Sequence, residues 1–381
     1  MTLATESLSR TISADLFEEL VRAAGTAPSP DNNQPWAFRL REQAIEVLHV
    51  RSRAIASDVG DLFSWIAMGA AIENLVLAAS EHSLTEEIEY HDRPLVTSAD
   101  GERIATLRLN PGGSPDPLRR FIEGRITNRR LYQRKGLPPD DLQTLATSLR
   151  FENDRIDWIT GPSDRTRLAQ LVVTADRIRF EHRPFHEEFH RVLRFGERSA
   201  RGRGDGLDLR TLEIPRAAWP ILRWLRPWSR MSLANRFGMS RLFARYSFKQ
   251  VVRSGAVGLL TTSDDSDRGR LEAGRDFQRI WLAATCRGLA FQPLGSLPIF
   301  LARLEQEGSK AFLPHHAAAL RQVVGPFQHL FPSAEHRMPV MLFRIGHSKP
   351  PSARSYRYPV RQIEISNETA TGEQRASETA L

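Results

Sequence analysis

Hydrophobic periodicity resolves this chain into helices and short strands whose order occurs twice. From 13 to 24, Leu16, Phe17, Leu20, Val21 and Ala24 fall at helical spacing, which predicts an amphipathic helix with one buried stripe. Residues 65–79 are apolar on nearly every side, the pattern of a helix buried all round. Runs of strand formers bounded by turn residues predict short strands at 37–40, 45–50, 88–91 and 104–109. Later in the chain, 139–149 and 268–287 read as helices, and 255–262 and 339–345 as strands. Gly288 stops the second of these helices, and the run Gly288-Leu289-Ala290-Phe291-Gln292-Pro293-Leu294-Gly295 is an apolar turn broken by Pro293. Gly69-Ala70-Ala71 in 66–79 and Trp281-Leu282-Ala283-Ala284 in 275–287 carry small residues that allow close packing. They mark the two helices as equivalent centres of two related halves.

The segment 195–250 stands apart from this repeat. Trp219, Trp224 and Trp228 alternate at helical periods with Leu222, Leu225, Leu233, Phe237, Leu242 and Phe243, among 12 basic and 4 acidic residues. The net charge of the whole chain is +8, so the excess is local to this insertion. The preferred expectation is a helical lid over a ligand site, its arginines attracting an anionic substrate or cofactor. Association with a membrane surface is a second reading, since basic faces with Trp and Leu suit interfacial helices. No recognition motif for nucleic acid accompanies the charge. A chain of 381 residues, 41% of them apolar, can bury a substantial core and divides into two domains or two halves of one. The single Cys286 excludes an internal disulfide, and its place in a helical run predicts a buried structural thiol. The amino terminus lacks the basic-then-apolar pattern of a signal peptide, and no apolar run approaches the roughly 20 residues of a membrane span. A cytoplasmic protein without stable membrane insertion is therefore expected. The polar residues after Val360 predict a disordered tail.

The densest chemistry lies in Ala27-Pro28-Ser29-Pro30-Asp31-Asn32-Asn33-Gln34-Pro35-Trp36. Three prolines fix φ and remove backbone donors, so hydroxyl and amide side chains are held in a stiff turn. Such neutral groups suit a planar, partly polar ligand with many acceptors, of which a flavin is one example, better than a metal or a bare phosphate. A helix-to-strand loop rich in turn formers is the plain alternative. A rival motif, His186-Glu187-Glu188-Phe189-His190, satisfies the zinc-protease pattern His-Glu-x-x-His, with His182 at the same spacing. The charged Arg183, Glu188 and Arg191 oppose a sheltered metal helix, and no third ligand is evident at the spacing of such enzymes. The histidines are expected to line a polar helix face after Pro184, leaving a zinc hydrolase as a remote alternative.

The turn resembles the flavin-contacting motif of FMN-dependent nitroreductases, matched by Pro28, Ser29, Asn32, Gln34, Pro35 and Trp36. A second motif of that family, an Arg, Ser or Thr, Arg triplet that binds the FMN phosphate, is similar to Arg125, Thr127 and Arg129. In the family the triplet precedes the turn within one short chain that pairs with a copy; here the order is reversed. The resemblance implies an α+β nitroreductase-like fold of two fused halves forming a pseudo-dimer, as in the Acg-type subgroup. The first half (1–115) would keep the clamp, with only a weakened triplet at Ser9-Arg10-Thr11-Ile12. The second (116–350), containing the insertion 195–250, would keep the phosphate triplet, and a C-terminal extension (351–381) would be partly disordered. One FMN per chain follows, with Pro293, Leu294 and Gly295 near its reactive edge and Arg337 as a further phosphate ligand. The implied activity is hydride transfer from NAD(P)H through FMN to a small acceptor such as a nitroaromatic or quinone, or dehydrogenation of a small substrate. No separate catalytic residue is required, because the cofactor carries the chemistry. FMN binding or sequestration without turnover is the alternative, and the chain would be a monomeric pseudo-dimer or a homodimer acting on a small molecule.

Overall fold

The computed structural model describes residues 12–91, 97–98 and 101–365. Residues 9–11 of the weakened triplet and the polar tail beyond Ile365 lie outside the described residues. Helix α1 (Ala14–Gly25) starts where Ser13 caps it by accepting the Leu16 amide. Strands β1 (Trp36–Arg41) and β2 (Ala44–His49) lead into helix α2 (Leu62–Ser80), followed by β3 (Leu84–Tyr90), β4 (Thr97–Ser98) and β5 (Gly101–Pro111). These strands form an antiparallel sheet in the order β1-β2-β5-β3, with β4 beside β5. β3 starts earlier than the run 88–91 predicts, because Glu86, Glu87 and Glu89 interrupt its apolar signal although the backbone pairs along its length.

The second part opens with α3 (Pro139–Ala146), β6 (Asp154–Ile159), α4 (Pro162–Glu181) and α5 (Arg183–Val192). The insertion then holds a parallel pair, β7 (Leu193–Arg194) and β8 (Leu207–Asp208), and helices α6 (Glu197–Arg203), α7 (Trp219–Trp224), α8 (Trp228–Arg236) and α9 (Met239–Val252). β9 (Ala256–Thr262), α10 (Asp267–Cys286), β10 (Ala290–Pro293), α11 (Ser296–Glu307), α12 (Pro314–Leu330) and β11 (Met338–Gly346) complete the fold. The second sheet is antiparallel, in the order β10-β11-β9-β6. Gly288 ends α10 with φ +66°, as the C-cap pattern predicts.

Helices α2 and α10 pack against each other between the two sheets. A Cβ on Gly69 would lie 2.1 Å from the Leu271 carbonyl oxygen, and one on Gly274 would lie 2.3 Å from that of Ile66. Only glycine permits this backbone approach. The contact falls at Gly69 within the expected small-residue run and at Gly274, upstream of the expected run in α10. Along the same interface the fully buried Glu73 accepts from Arg275 Nε and Arg279 Nη1, both at 2.8 Å. Burial alone would push the Glu73 carboxyl up, but Arg275, Arg279 and Arg150 hold it below the usual carboxylate range. Arg275 also reaches Glu86 at 2.8 Å, Arg279 reaches Asp116 at 2.9 Å, and Gln278 donates to Asn74 at 2.6 Å.

The two halves are interleaved. Leu271 of α10 belongs to the core of the first sheet, while Leu62, Phe63 and Ile66 of α2 belong to that of the second. One edge strand of each sheet, β1 and β10, also gains a parallel bridge from a distant segment, Phe38 with Glu364 and Phe291 with Thr127. The chain after β11 thus returns to the first sheet. Phe38 donates to the Ile363 carbonyl at 2.7 Å, and Ile363 is buried in the first core, so order extends past Val360 through Ile365. Two expectations need correction. Cys286 is exposed, since it occupies the last turn of α10 beyond the packed stretch. Residues 59–80 are long and apolar enough to cross a membrane, with a window of mean hydropathy 1.6 that is wholly buried inside the protein.

Candidate functional site

A cavity of about 620 Å3 gathers segments that are remote in sequence: the Pro28–Asn32 turn, Arg125, Thr127 and Arg129, the Pro293–Gly295 turn, and the insertion helices. The first turn is strained. Asp31, Asn32 and Gln34 have φ of +48°, +61° and +50°, a region that Asp and Asn tolerate and Gln does not favour. Tethers hold it there. Ser29 Oγ accepts the Gln34 amide at 2.9 Å. Asn32 Nδ2 donates to the carbonyls of Gly206 (3.2 Å) and Tyr356 (2.9 Å), and its Oδ1 accepts from Arg357. Gln34 Nε2 donates to the Gly204 carbonyl at 2.9 Å, while its Oε1 accepts the Tyr358 amide at 2.8 Å. Pro28, Ser29 and Asn32 line the cavity and Gln34 does not. Its side chain is wholly buried and fastens the turn to the insertion and to the returning C-terminal strap. Asp31 also lines the cavity; burial pushes its carboxyl up against the opposing pull of Arg179 and Arg129.

Beside the cavity, a smaller pocket of about 140 Å3 is lined by Arg125, Arg129, Arg354 and Arg357 with Thr127, Thr211 and Ser355. No carboxylate belongs to this lining, and none of the four arginines forms an ion pair among the described residues. Arg125 stacks on the Trp281 ring at 4.5 Å and donates to the Thr26 carbonyl at 2.6 Å. Burial, and then the neighbouring Arg357 and Arg354, hold its guanidinium well below the ordinary arginine value. Burial brings Arg129 and Arg357 down to about 10, with Asp31 raising the former and Arg354 lowering the latter further. The Nε atoms of Arg125 and Arg357 are buried and have no hydrogen-bond partner among the described residues. Buried cations clustered without a counter-charge are unfavourable unless an anion joins them, and a guanidinium fork matches phosphate oxygens bidentately. Sequence reasoning missed Arg354, Ser355 and Arg357, which sit on an irregular strap with no periodic signal; the paired arginines three apart in a polar tail were the available cue.

The triplet segment is fixed from behind. The wholly buried Arg344 lies 3.7 Å from the Tyr132 ring centroid and donates to the carbonyl of Arg130 and to Gln292 Oε1, both at 2.7 Å. From the insertion, Gln250 Nε2 and Tyr246 Oη donate to the Arg129 carbonyl at 2.6 and 3.2 Å. The Pro293–Gly295 turn lines the cavity, but its supply of donors is narrow. Pro293 has no N–H, and the Leu294 amide donates to the Leu342 carbonyl at 2.7 Å. Gly295, at the start of α11, is the one residue of the three whose amide takes no partner among the described residues. It abuts Phe63, whose ring a Cβ would meet at 3.0 Å. Arg337 lies outside the cavity, donating to the Asn153 carbonyl and, at 3.2 Å, to Thr261 Oγ1 near the end of β9.

The His-Glu-x-x-His helix is packed inward, in contrast to the expected polar face. His186 is fully buried, donates from Nε2 to the Arg226 carbonyl at 3.2 Å, and lies 5.5 Å from the Trp228 ring. Glu188 accepts the Ser57 amide at 3.0 Å, and burial brings His190 down to about 3. The group of metal-ligating side chains gathered among the described residues is Glu181, His315 and His316, which includes neither histidine of the motif.

No family model matches the chain. An uncharacterized protein of Mycobacterium tuberculosis is 26% identical over 343 residues, 89% of this chain and 47% of its own, so the chain spans about half the length of that relative. Among solved structures, a putative nitroreductase from Anabaena variabilis is similar with a TM-score of 0.42 and 12% identity, covering 88% of this chain and 74% of that one. A nitroreductase with bound FMN from Bacteroides fragilis gives 0.35 and 10%, covering 62% and 90%. The FMN-dependent nitroreductase NfnB from Mycobacterium smegmatis, in complex with NADPH, gives 0.31 and 19%, covering 65% and 91%. These values are too low to carry an assignment, which rests on the residues of this chain.

Proposed function

We propose that the chain is an FMN-dependent oxidoreductase of nitroreductase type, folded as a covalent pseudo-dimer that binds one FMN. One observation carries this reading: the resembling turn, 28–32, and the resembling triplet, 125–129, line one cavity although about a hundred residues separate them. The residues present fit the cofactor. The arginine pocket suits a phosphate dianion, and the larger cavity, walled by side chains such as Phe63, Ile66, Phe277 and Trp281, suits a planar ring. Arg125, Arg129, Arg354 and Arg357 would hold the phosphate, with Thr127 and Ser355 as hydroxyl donors. Pro28, Ser29 and Asn32 would bound the ring, and the Gly295 amide would face its reactive edge. When bound, FMN supplies hydride transfer between NAD(P)H and a small organic acceptor such as a nitroaromatic or quinone. The protein's part is to orient the ring, exclude water beneath the insertion helices, and present backbone dipole where negative charge develops.

The test is spectroscopic. Purified protein is expected to carry flavin absorbance that bleaches with NADH or NADPH under anaerobic conditions. A folded protein that neither retains nor takes up FMN removes the proposal. FMN binding without bleaching by either nucleotide would instead identify a sequestering protein, for which helices α7 and α9, which wall the cavity, provide the rationale.

A further inference from the structure

The insertion helices have a second apolar face, turned to solvent. Toward the protein they bury Leu222 and Leu225, then Met231 and Ala234, and finally Ala244 and Val251. Toward solvent they expose Ile221 and Trp224 in α7, Leu233 and Phe237 at the end of α8, and Leu242 and Tyr246 in α9. Each exposed pair is spaced three or four residues apart, so each helix presents an outward apolar stripe. Phe237 is 86% exposed, and six of the seven large exposed apolar side chains of the described residues lie in this one segment. Soluble proteins rarely display such a concentration without a partner for it.

The charge around these stripes has one sign. Between Pro215 and Gln250 the chain carries Arg216, Arg223, Arg226, Arg230, Arg236, Arg241, Arg245 and Lys249, and no acidic residue. All eight are exposed. None forms an ion pair among the described residues, whereas Arg177, Arg183 and Arg303 on neighbouring helices each pair with a glutamate four residues on. A second copy of this chain is a poor occupant, because a two-fold interface would set these like charges against each other. An anionic lipid surface complements both features, taking the apolar stripes at the headgroup boundary and the arginines at the phosphates.

We propose that the outer face of α7–α9 docks on anionic phospholipid membranes. Ile221, Leu242 and Tyr246 also line the cavity, so the docked protein would open its cavity toward the bilayer. The docking stands independently of the cofactor reading.

Co-sedimentation tests it with vesicles of phosphatidylcholine alone and of equal phosphatidylcholine and phosphatidylglycerol. Wild-type protein is expected to pellet with the mixed vesicles only, and to be partly released by salt. The pair Leu233→Ser and Phe237→Ser should weaken binding at least about tenfold at unchanged melting temperature, since both side chains are exposed. Arg236→Gln and Arg241→Gln should each weaken it by about fivefold. Wild-type protein left in the supernatant with the mixed vesicles, or full binding by the Leu233/Phe237 variant, would overturn the proposal. Sedimentation equilibrium showing a dimer that Phe237→Ser dissociates would also overturn it, assigning the face to self-association.

Discussion

Two clusters of arginine lie in this molecule, one between helices and one around a pocket, and they differ in what surrounds them. Between α2 and α10, Arg275 and Arg279 converge on Glu73 and spread to Glu86 and Asp116, so every positive charge has a carboxylate at about hydrogen-bond distance. Around the small pocket, Arg125, Arg129, Arg354 and Arg357 have carbonyls, hydroxyls and an aromatic ring, and no ion-paired carboxylate. The first cluster is complete and holds two sheets in register. The second is completed only by something from outside. The pocket cluster runs from buried Arg125 to exposed Arg354, and its missing ion-paired carboxylate distinguishes a binding site from a structural joint.

The largest expected effect breaks the completed cluster. Glu73→Ala would leave Arg275 and Arg279 buried with one partner fewer and should lower unfolding free energy by about 3–5 kcal/mol, read by urea denaturation. In the pocket the same logic predicts the opposite sign: Arg125→Met removes an uncompensated charge and should leave the unliganded protein as stable or more so. Equal destabilisation by both variants would erase the distinction between the clusters. A smaller effect sharpens it. Arg125→Met should weaken binding of inorganic phosphate, measured by titration calorimetry, by about 10- to 100-fold, as expected for charge-assisted hydrogen bonds. The smallest concerns pH. Arg129 and Arg357 are held down to about 10, and only their charged forms attract the anion, so affinity for inorganic phosphate should be level once the dianion predominates on the alkaline side of neutrality and decline as pH passes 10. A decline already complete before pH 9 would assign the anion to a different set of groups.

Much of this arrangement was legible in the residues alone. The helices at α1, α2 and α10 and the strands β1, β2, β9 and β11 follow from periodicity, because each has an uninterrupted buried stripe. Pro28, Ser29, Asn32, Arg125, Thr127 and Arg129 stand in the cavity where the two motifs suggest. What sequence could not separate is the use of a side chain from its type. The amide of Gln34 is a good ligand group, yet tertiary contacts with Gly204 and Tyr358 claim it. Arg337 matches a plausible spacing, but the register of β11 on β9 carries it to Thr261. The strap arginines gave no periodic signal because their conformation is imposed by what they cross, not by their neighbours in the chain.

The returning strap has a consequence for biosynthesis. Arg357 completes the pocket, and Ile363 closes the edge of a sheet whose first strand begins at Trp36, so the earliest and latest parts of the described chain meet in one structure. A nascent chain emerging in order cannot present a finished anion site until more than three hundred residues have been translated. Ligand capture is therefore among the final events of maturation, and ribosome-bound intermediates would expose the Phe38 edge as an open template for mispairing.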